Sequence, residues 1–247
     1  MKKFRADLHI HTILSPCADL EMSPDKIVER AIEQGVDILA ITDHNSTRQC
    51  AMVKKHAEGT GLMVINGCEV NSREEIHAIC LFEDDYTRDK FQRFLDQYLP
   101  EIPNRPEYHG HQVLLNRKNQ ITQYFPHYLG SPLQIDLESI EQYTHQLNGL
   151  FIPAHIDRPI NSLYSQLGYL PSDLHVDGLQ ITRFADEQTI RKQYDIHSDT
   201  SLITASDAHY PEDIGAACTS FYLFEPTFQE IRWALNQKNG RSVKIES

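Results

Sequence analysis

Short apolar runs alternate along the chain with stretches whose apolar residues recur every three to four positions, the pattern of strands separated by helices. The first strand is predicted near 5–11, where Ala6, Leu8 and Ile10 alternate with Asp7, His9 and His11. "SPDKIVERAIEQG" reads as a helix with Ser23 placed to cap it, Pro24 in its first position and Gly35 at its end. The strand "VDILAIT", the helix "TRQCAMVKKHAEGTG", the strands "LMVING" and "IHAICLF", and a helix over 87–98 follow. Residues 100–135 are the least regular part and read as an insertion with a hairpin at "QVLLNRKNQIT" and no domain of its own. Beyond it, "DLESIEQYTHQLNG" is predicted helical, "LFIPA" and "VDGLQIT" extended, and 187–195 helical. "SLITAS" and "TSFYLF" are read as strands and "TFQEIRWALNQKNG" as the closing helix.

This βαβ rhythm predicts a parallel sheet in an α/β fold, and about seven strand runs point to one closed or nearly closed (β/α) barrel over residues 1–247. An open doubly wound sheet would want a glycine-rich phosphate loop after the first strand, and "HTILSPCADLE" holds no glycine. The composition, 40% hydrophobic and 23% charged, is that of a globular protein. No window nears the ~18 apolar residues of a membrane span, and no secretory apolar stretch opens the chain, so a cytoplasmic protein without membrane contact is expected. The formal charge of −12 disfavours loose binding to nucleic acid, and "NRK" at 116–118 is too small for an extended nucleic-acid surface. The five cysteines, never spaced as CxxC, argue against a disulfide framework or a zinc finger.

What changes the picture is where the ligand-type residues fall. Asp7, His9 and His11 share one face of the first strand, and two imidazoles so placed can grip one metal ion. His44, Glu69, His155, Asp207 and His209 each close an apolar run, and His77 belongs to the fourth strand. Strand ends converge on one face of an α/β barrel, so these residues are expected to meet. Imidazole with carboxylate and no thiolate suits Zn, Mn or Fe(II). "HGH" at His109 and His111 follows prolines in the insertion and is read as surface loop, or as part of a lid.

The motifs "DLHIHT", "TDHN", "GCEV" with His77 eight residues past its Glu, "PAH" and "SDAH" together resemble the PHP family of metal-dependent phosphoesterases, named for polymerases and histidinol phosphatases. The resemblance covers nearly the whole chain and implies a distorted (β/α)7 barrel with two or three divalent ions at the C-terminal strand ends. It implies that His9, His11, Glu69 and Asp207 hold one ion, His44 and His209 a second, and His77 and His155 a third, with Glu69 bridging. The loop after the first strand is implied to add a ligand to the second ion. Asp19 is the choice there, with Cys17 and Glu21 as alternatives.

The implied activity is hydrolysis of a phosphate ester by a metal-bridged hydroxide, with Glu69, Asp207 and His209 in the catalytic centre. Arg158 and Arg183 are expected at the barrel mouth to meet phosphate charge, and Asp7 to orient an imidazole. A small phosphomonoester, a nucleotide phosphodiester or an oligonucleotide end are the expected substrates. The alternative is a metal-stabilised regulatory or interaction domain without chemistry.

Overall fold

The computed structural model describes residues 1–246. The chain runs β1 (Lys2–Ile10), α1 (Pro24–Glu33), β2 (Ile38–Ile41), α2 (Cys50–Ala57), β3 (Met63–Asn71), β4 (His77–Phe82) and α3 (Asp85–Tyr98). The insertion contributes α4 (Pro106–His109), β5 (Val113–Leu115) and β6 (Ile121–Tyr124). Then come α5 (Leu137–Gln146), β7 (Leu150–Pro153), α6 (Leu163–Leu167), β8 (Leu179–Ile181), α7 (Glu187–Tyr194) and β9 (Leu202–Thr204). After a 3₁₀ turn at Pro211–Asp213, β10 (Thr219–Leu223), α8 (Phe228–Leu235) and β11 (Ser242–Ile245) complete the chain.

Seven strands form one curled sheet in the order β11-β10-β1-β2-β3-β4-β7. It is mixed, not parallel throughout. β1, β2 and β3 are parallel, but β4 is antiparallel to both β3 and β7, and β10 is antiparallel to β1 and β11. The cause is the link at 72–76, which is too short for a crossover helix and can only reverse the chain. This reversal matters to function. It places His77, the first residue of β4, beside Asn71 at the C-terminal end of β3. β8 and β9 form a separate parallel pair. Ile156 N–H, just past β7, donates to Gln180 O of β8, and His11 N–H donates to Ala208 O past β9. The pair thus lies between β7 and the end of β1.

Helix starts follow local chemistry. Asp84, Asp136, Asp186 and Thr227 each accept a backbone N–H in the first turn of α3, α5, α7 and α8, and Ser162 forms a capping box on α6. Ser23 stands at the cap position of α1, yet its hydroxyl donates to Asp25 at 2.6 Å and caps nothing. The closing element is β11 and not α8; its alternation of exposed and half-buried residues carries too few apolar positions to announce a strand.

Ile10, Leu39 and Ile41 pack with Ile27, Val28 and Val53 of α1 and α2, while Leu8, Ile38, Ile65, Ile79 and Ile152 pack with Phe228 and Ile231 of α8. At Gly67 a Cβ would stand 2.7 Å from Leu81 Cδ2 and 2.9 Å from Cys80 O, so only glycine lets β3 sit this close to its neighbours two residues before Glu69. The insertion is docked rather than loose. Val113 and Leu115 close on Ile13, Phe125 and Leu129 close on Leu14, and Gln49 exchanges two hydrogen bonds with the backbone of Leu115.

Away from the strand ends that carry the histidines, His145 of α5 lies 2.9 Å from Asp177, which also accepts Phe151 N–H of β7. The Asp177 carboxylate raises the His145 pKa; burial opposes ionisation of Asp177, but His145 holds it below its ordinary value. The imidazolium contributes stability that is lost as pH rises through its raised pKa. The carboxylate contributes stability that is lost as pH falls through its lowered one. The pair therefore acts between the carboxylate and imidazole ranges, about pH 4 to 6.5. His145→Ala is expected to cost about 1 kcal/mol in denaturant unfolding near pH 5.5, discounted for partial exposure, and to cost much less at pH 9. Equal losses at both pH values would remove the ion pair from the account.

Candidate metal centre

The end of β1 carries the first two donors. His9 and His11 are fully buried, with their Nε2 atoms 3.1 Å apart. Each ring is set by its other nitrogen: His9 Nδ1 lies 2.8 Å from Gln180 Oε1, and His11 Nδ1 lies 2.9 Å from Ser15 Oγ. Ser15 itself donates to Asp43 Oδ1 at 2.7 Å, so its oxygen is free to accept from the imidazole. Nδ1 is thereby the donor in both rings, and Nε2 faces inward.

Glu69 is the hub. Its Oε1 lies 3.0 Å from His77 Nδ1, 3.0 Å from His155 Nε2 and 3.4 Å from His9 Nε2. Its Oε2 lies 3.2 Å from His44 Nδ1 and 3.4 Å from His11 Nε2. Asp207 Oδ1 reaches His9 and His11 Nε2 at 3.3 and 3.4 Å. His209 donates Nδ1–H to Asp207 O at 2.8 Å and stacks on His11 with ring centroids 4.2 Å apart.

Two of the clustered residues hold left-handed backbone. His155 and Asp207 hold φ of 30° and 53°, left-handed values that cost a non-glycine residue about 1–3 kcal/mol. Surrounding hydrogen bonds hold both. Asp157 accepts Thr182 N–H at 2.8 Å just past His155, and Asp7 accepts Ser206 N–H and Gly215 N–H, each at 3.0 Å, around Asp207. Asp7 therefore orients the Asp207 backbone and not an imidazole, which corrects the sequence expectation. Its carboxylate is spent on two amides.

Burial would raise the Glu69 pKa, but His77, His9 and His44 outweigh it and hold the carboxyl well below its ordinary range. Burial likewise opposes ionisation of Asp207, and His9 and His11 lower it. For His11, burial is outweighed by Asp207 and Glu69, which raise it to about 10. Burial dominates at His44, lowered well below 6.5, and at His209, lowered to about 4.

These residues fit divalent cations. Donors around a four-coordinate ion at about 2.0–2.1 Å stand about 3.3–3.4 Å apart. The Nε2 atoms of His9 and His11 stand 3.1 Å from each other and 3.3–3.4 Å from Asp207 Oδ1 and from one oxygen each of Glu69. Two Nε2 atoms facing each other with both partner nitrogens donating elsewhere cannot satisfy one another. His44 Nδ1 faces Glu69, buried and without a hydrogen-bond partner. Among the described residues, His11 with His44 and His209, His9 with His11 and Glu69, and His44 with Glu69 and His77 form three overlapping donor groups.

Residues 7–163, more than half of the chain, match the PHP domain family. The chain belongs to this family. The fold resembles that of the lesion-specific endonuclease PfuEndoQ from Pyrococcus furiosus, with a TM-score of 0.76 and 22% identity over 98% of this chain and 58% of that one. The 5'-3' exoribonuclease Rnm of Escherichia coli is 39% identical over 75 residues, 30% of this chain and 25% of that protein. The phosphoribosyl 1,2-cyclic phosphate 1,2-diphosphodiesterase of Eggerthella lenta is 32% identical over 66 residues, 27% of this chain and 24% of that protein. The matched segments thus span about a quarter of each of these curated relatives.

The structure gathers His9, His11, His44, Glu69, His77, His155 and Asp207 around one centre, with His209 at its edge. Asp19 is not drawn in. Its Oδ1 accepts Glu21 N–H at 2.8 Å, and Cys17 takes the place beside His209. Arg158 lies at the rim, 44% exposed, with Nη2 2.5 Å from Asp207 Oδ2; Arg183 pairs with Asp213 at 3.0 Å. Both arginines, with His155, Asp207 and Phe184, line a cavity of about 200 Å³. Larger hollows around Arg48 and Arg5 touch none of the clustered histidines. His109 is not in a loop: it ends the short helix α4 and stacks on Tyr128, while His111 beyond it is exposed, as expected of a loop.

Gln180, Ser15, Asp43 and Asn161, which fix the imidazoles, were not singled out by sequence. Gln180 alone had a signal, as the one polar residue inside the apolar run of β8.

In PHP-type chemistry at this centre, Glu69→Gln is expected to remove at least one ion per chain, because a neutral amide cannot serve five imidazole-held positions as a carboxylate does. Metal analysis of the purified variant showing wild-type content would contradict this role.

Proposed function

We propose that this protein is a metal-dependent phosphoesterase. The observation that carries the reading is the convergence of five imidazoles on one buried carboxylate beside a cavity lined by two arginines. The curled sheet is read as a distorted (β/α)7 barrel, with β8 and β9 joining β7 back to β1 and the centre at the C-terminal strand ends. His9, His11, Glu69 and Asp207 would hold one divalent ion, His44 and His209 a second, and His77 and His155 a third, zinc, manganese or iron fitting the donors. When bound, such ions supply Lewis acidity toward a phosphoryl oxygen and acidify water.

The chain's own side chains supply the rest. Arg158, exposed at the rim, can turn from Asp207 Oδ2 toward a phosphate oxygen, and Arg183 offers a second guanidinium across the cavity. Phe184, 85% exposed with Arg183 4.9 Å from its ring centroid, presents a face on which a base can stack. This favours a nucleotide or an oligonucleotide end over a plain phosphomonoester, in keeping with the nucleases among its relatives. The charge of −12 favours a short substrate over an extended duplex.

Manganese- or zinc-loaded protein is expected to hydrolyse a chromogenic phosphodiester or monoester, and His44→Ala to abolish that turnover. Arg158→Ala is expected to raise KM about 10- to 100-fold, the worth of one charge-assisted hydrogen bond. Bound metal without turnover on mono- or diesters, nucleotides or oligonucleotide ends would establish the non-catalytic reading instead. Unchanged KM and kcat in Arg158→Ala would remove that residue from substrate binding.

A further inference from the structure

Thr182, Arg183 and Phe184 line the cavity beside His155 and Asp207, and the same three residues line a second hollow of about 750 Å³. The two are therefore neighbours across one turn of chain. The second runs along Ala185, Thr204 and Ala217 to Arg5 and Glu246, and none of the clustered histidines borders it. Its size is that of a site for a small organic ligand, about 300–1,000 Å³. The shared turn is firmly held. Thr182 N–H donates to Asp157 Oδ1 at 2.8 Å, Ala185 N–H donates to Thr182 O at 3.1 Å, and Arg183 is pinned to Asp213 at 3.0 Å.

Charge distinguishes the two hollows. Along the larger one Arg5 is matched by Glu246 at 2.8 Å and Glu187 by Arg191 at 2.9 Å, while Asp186 accepts the N–H and hydroxyl of Thr189 at the start of α7. These charges are met within the protein, so the hollow offers little to a phosphate and suits a neutral occupant. What it holds instead is an unused polar group. Thr204 lines it, is 4% exposed, and its hydroxyl has no hydrogen-bond partner. The backbone of Thr204 is fully engaged, its N–H donating to Thr219 Oγ1 at 2.9 Å and its O accepting from that hydroxyl at 2.8 Å. A buried hydroxyl left unpaired costs stability, so its presence beside a hollow points to a ligand.

We propose that the larger hollow is a nucleoside subsite: base and sugar lie in it between Phe184 and Thr204, and their phosphate occupies the smaller cavity at the centre. The proposal rests on the phosphoesterase reading. It narrows the substrate to a single nucleotide, whose charged group stays at the centre, over a strand whose further phosphates would have to cross the hollow. A flat, neutral, hydrogen-bonding ligand meets an open aromatic face, the small side chains of Ala185 and Ala217, and the Thr204 hydroxyl.

Calorimetric titration of the full chain with adenosine, guanosine, cytidine and uridine tests the subsite without turnover. At least one is expected to bind, and Ala217→Trp, which fills the hollow, to weaken it about tenfold or more. Thr204→Val is expected to weaken it about three- to tenfold while raising the thermal midpoint, because an unpaired hydroxyl leaves the interior. Those opposite movements separate a ligand contact from a structural role. In metal-loaded protein the same variants are expected to lower kcat/KM for the matching 5'-monophosphate, relative to p-nitrophenyl phosphate, by similar factors. No binding of any of the four nucleosides, binding unmoved in both variants, or an oligonucleotide hydrolysed in preference to the mononucleotide overturns the subsite. Nucleoside binding that weakens in both variants, with no phosphate ester hydrolysed, supports the subsite and overturns the phosphoesterase reading instead.

Discussion

One buried carboxylate, Glu69, faces five imidazole nitrogens within 3.4 Å, and the rest of the structure is arranged around that fact. A charge placed so deep is costly unless it is compensated, and a second carboxylate, Asp207, sits against two of the same imidazoles. Divalent cations would resolve the conflict by meeting carboxylates and neutral imidazoles together. The fold serves this by bringing donors from β1, β3, β4 and the segments after β2, β7 and β9 to one end of the sheet. The reversed direction of β4 is part of that service, because a parallel strand would start at the far end and carry His77 away.

Around the clustered imidazoles and carboxylates runs a layer of residues outside the donor groups that decides where the donors point. Gln180 and Ser15 each fix one ring of the first pair, Asp43 gathers the loop after β1, and Asp7 and Asp157 hold the backbone around Asp207 and His155. The insertion closes over this loop through Ile13, Leu14 and Gly110. Its position ties an irregular, partly exposed segment to the geometry of the centre. The cavity bounded by Arg158, Arg183 and Phe184 lies beside His155 and Asp207 and is lined by no residue of the insertion.

Much of this was legible in the residues. Alternation in "ADLHIHT" set His9 and His11 on one face, and each apolar run that ended in His, Glu or Asp pointed to the same end of the sheet. Helix positions followed from caps and periodicity. The direction of β4 was not read, because strand periodicity is the same in both directions and only the short link at 72–76 determines it. The arrangement of the loop after β1 was not read for a different reason: Asp19 and Cys17 are two residues apart in a turn, and only the three-dimensional hydrogen bonds show that Cys17 is the one that faces His209. Asp7 was assigned to an imidazole because it shares their face; its register instead sets it against the amides of Ser206 and Gly215.

The central claim is that Glu69 is shared between ions. Anomalous diffraction from crystals of the zinc- or manganese-loaded protein tests it most directly. The account predicts at least two anomalous peaks, each within coordination distance of a different oxygen of Glu69. A single peak bound to one oxygen, or peaks that lie away from Glu69, would contradict it.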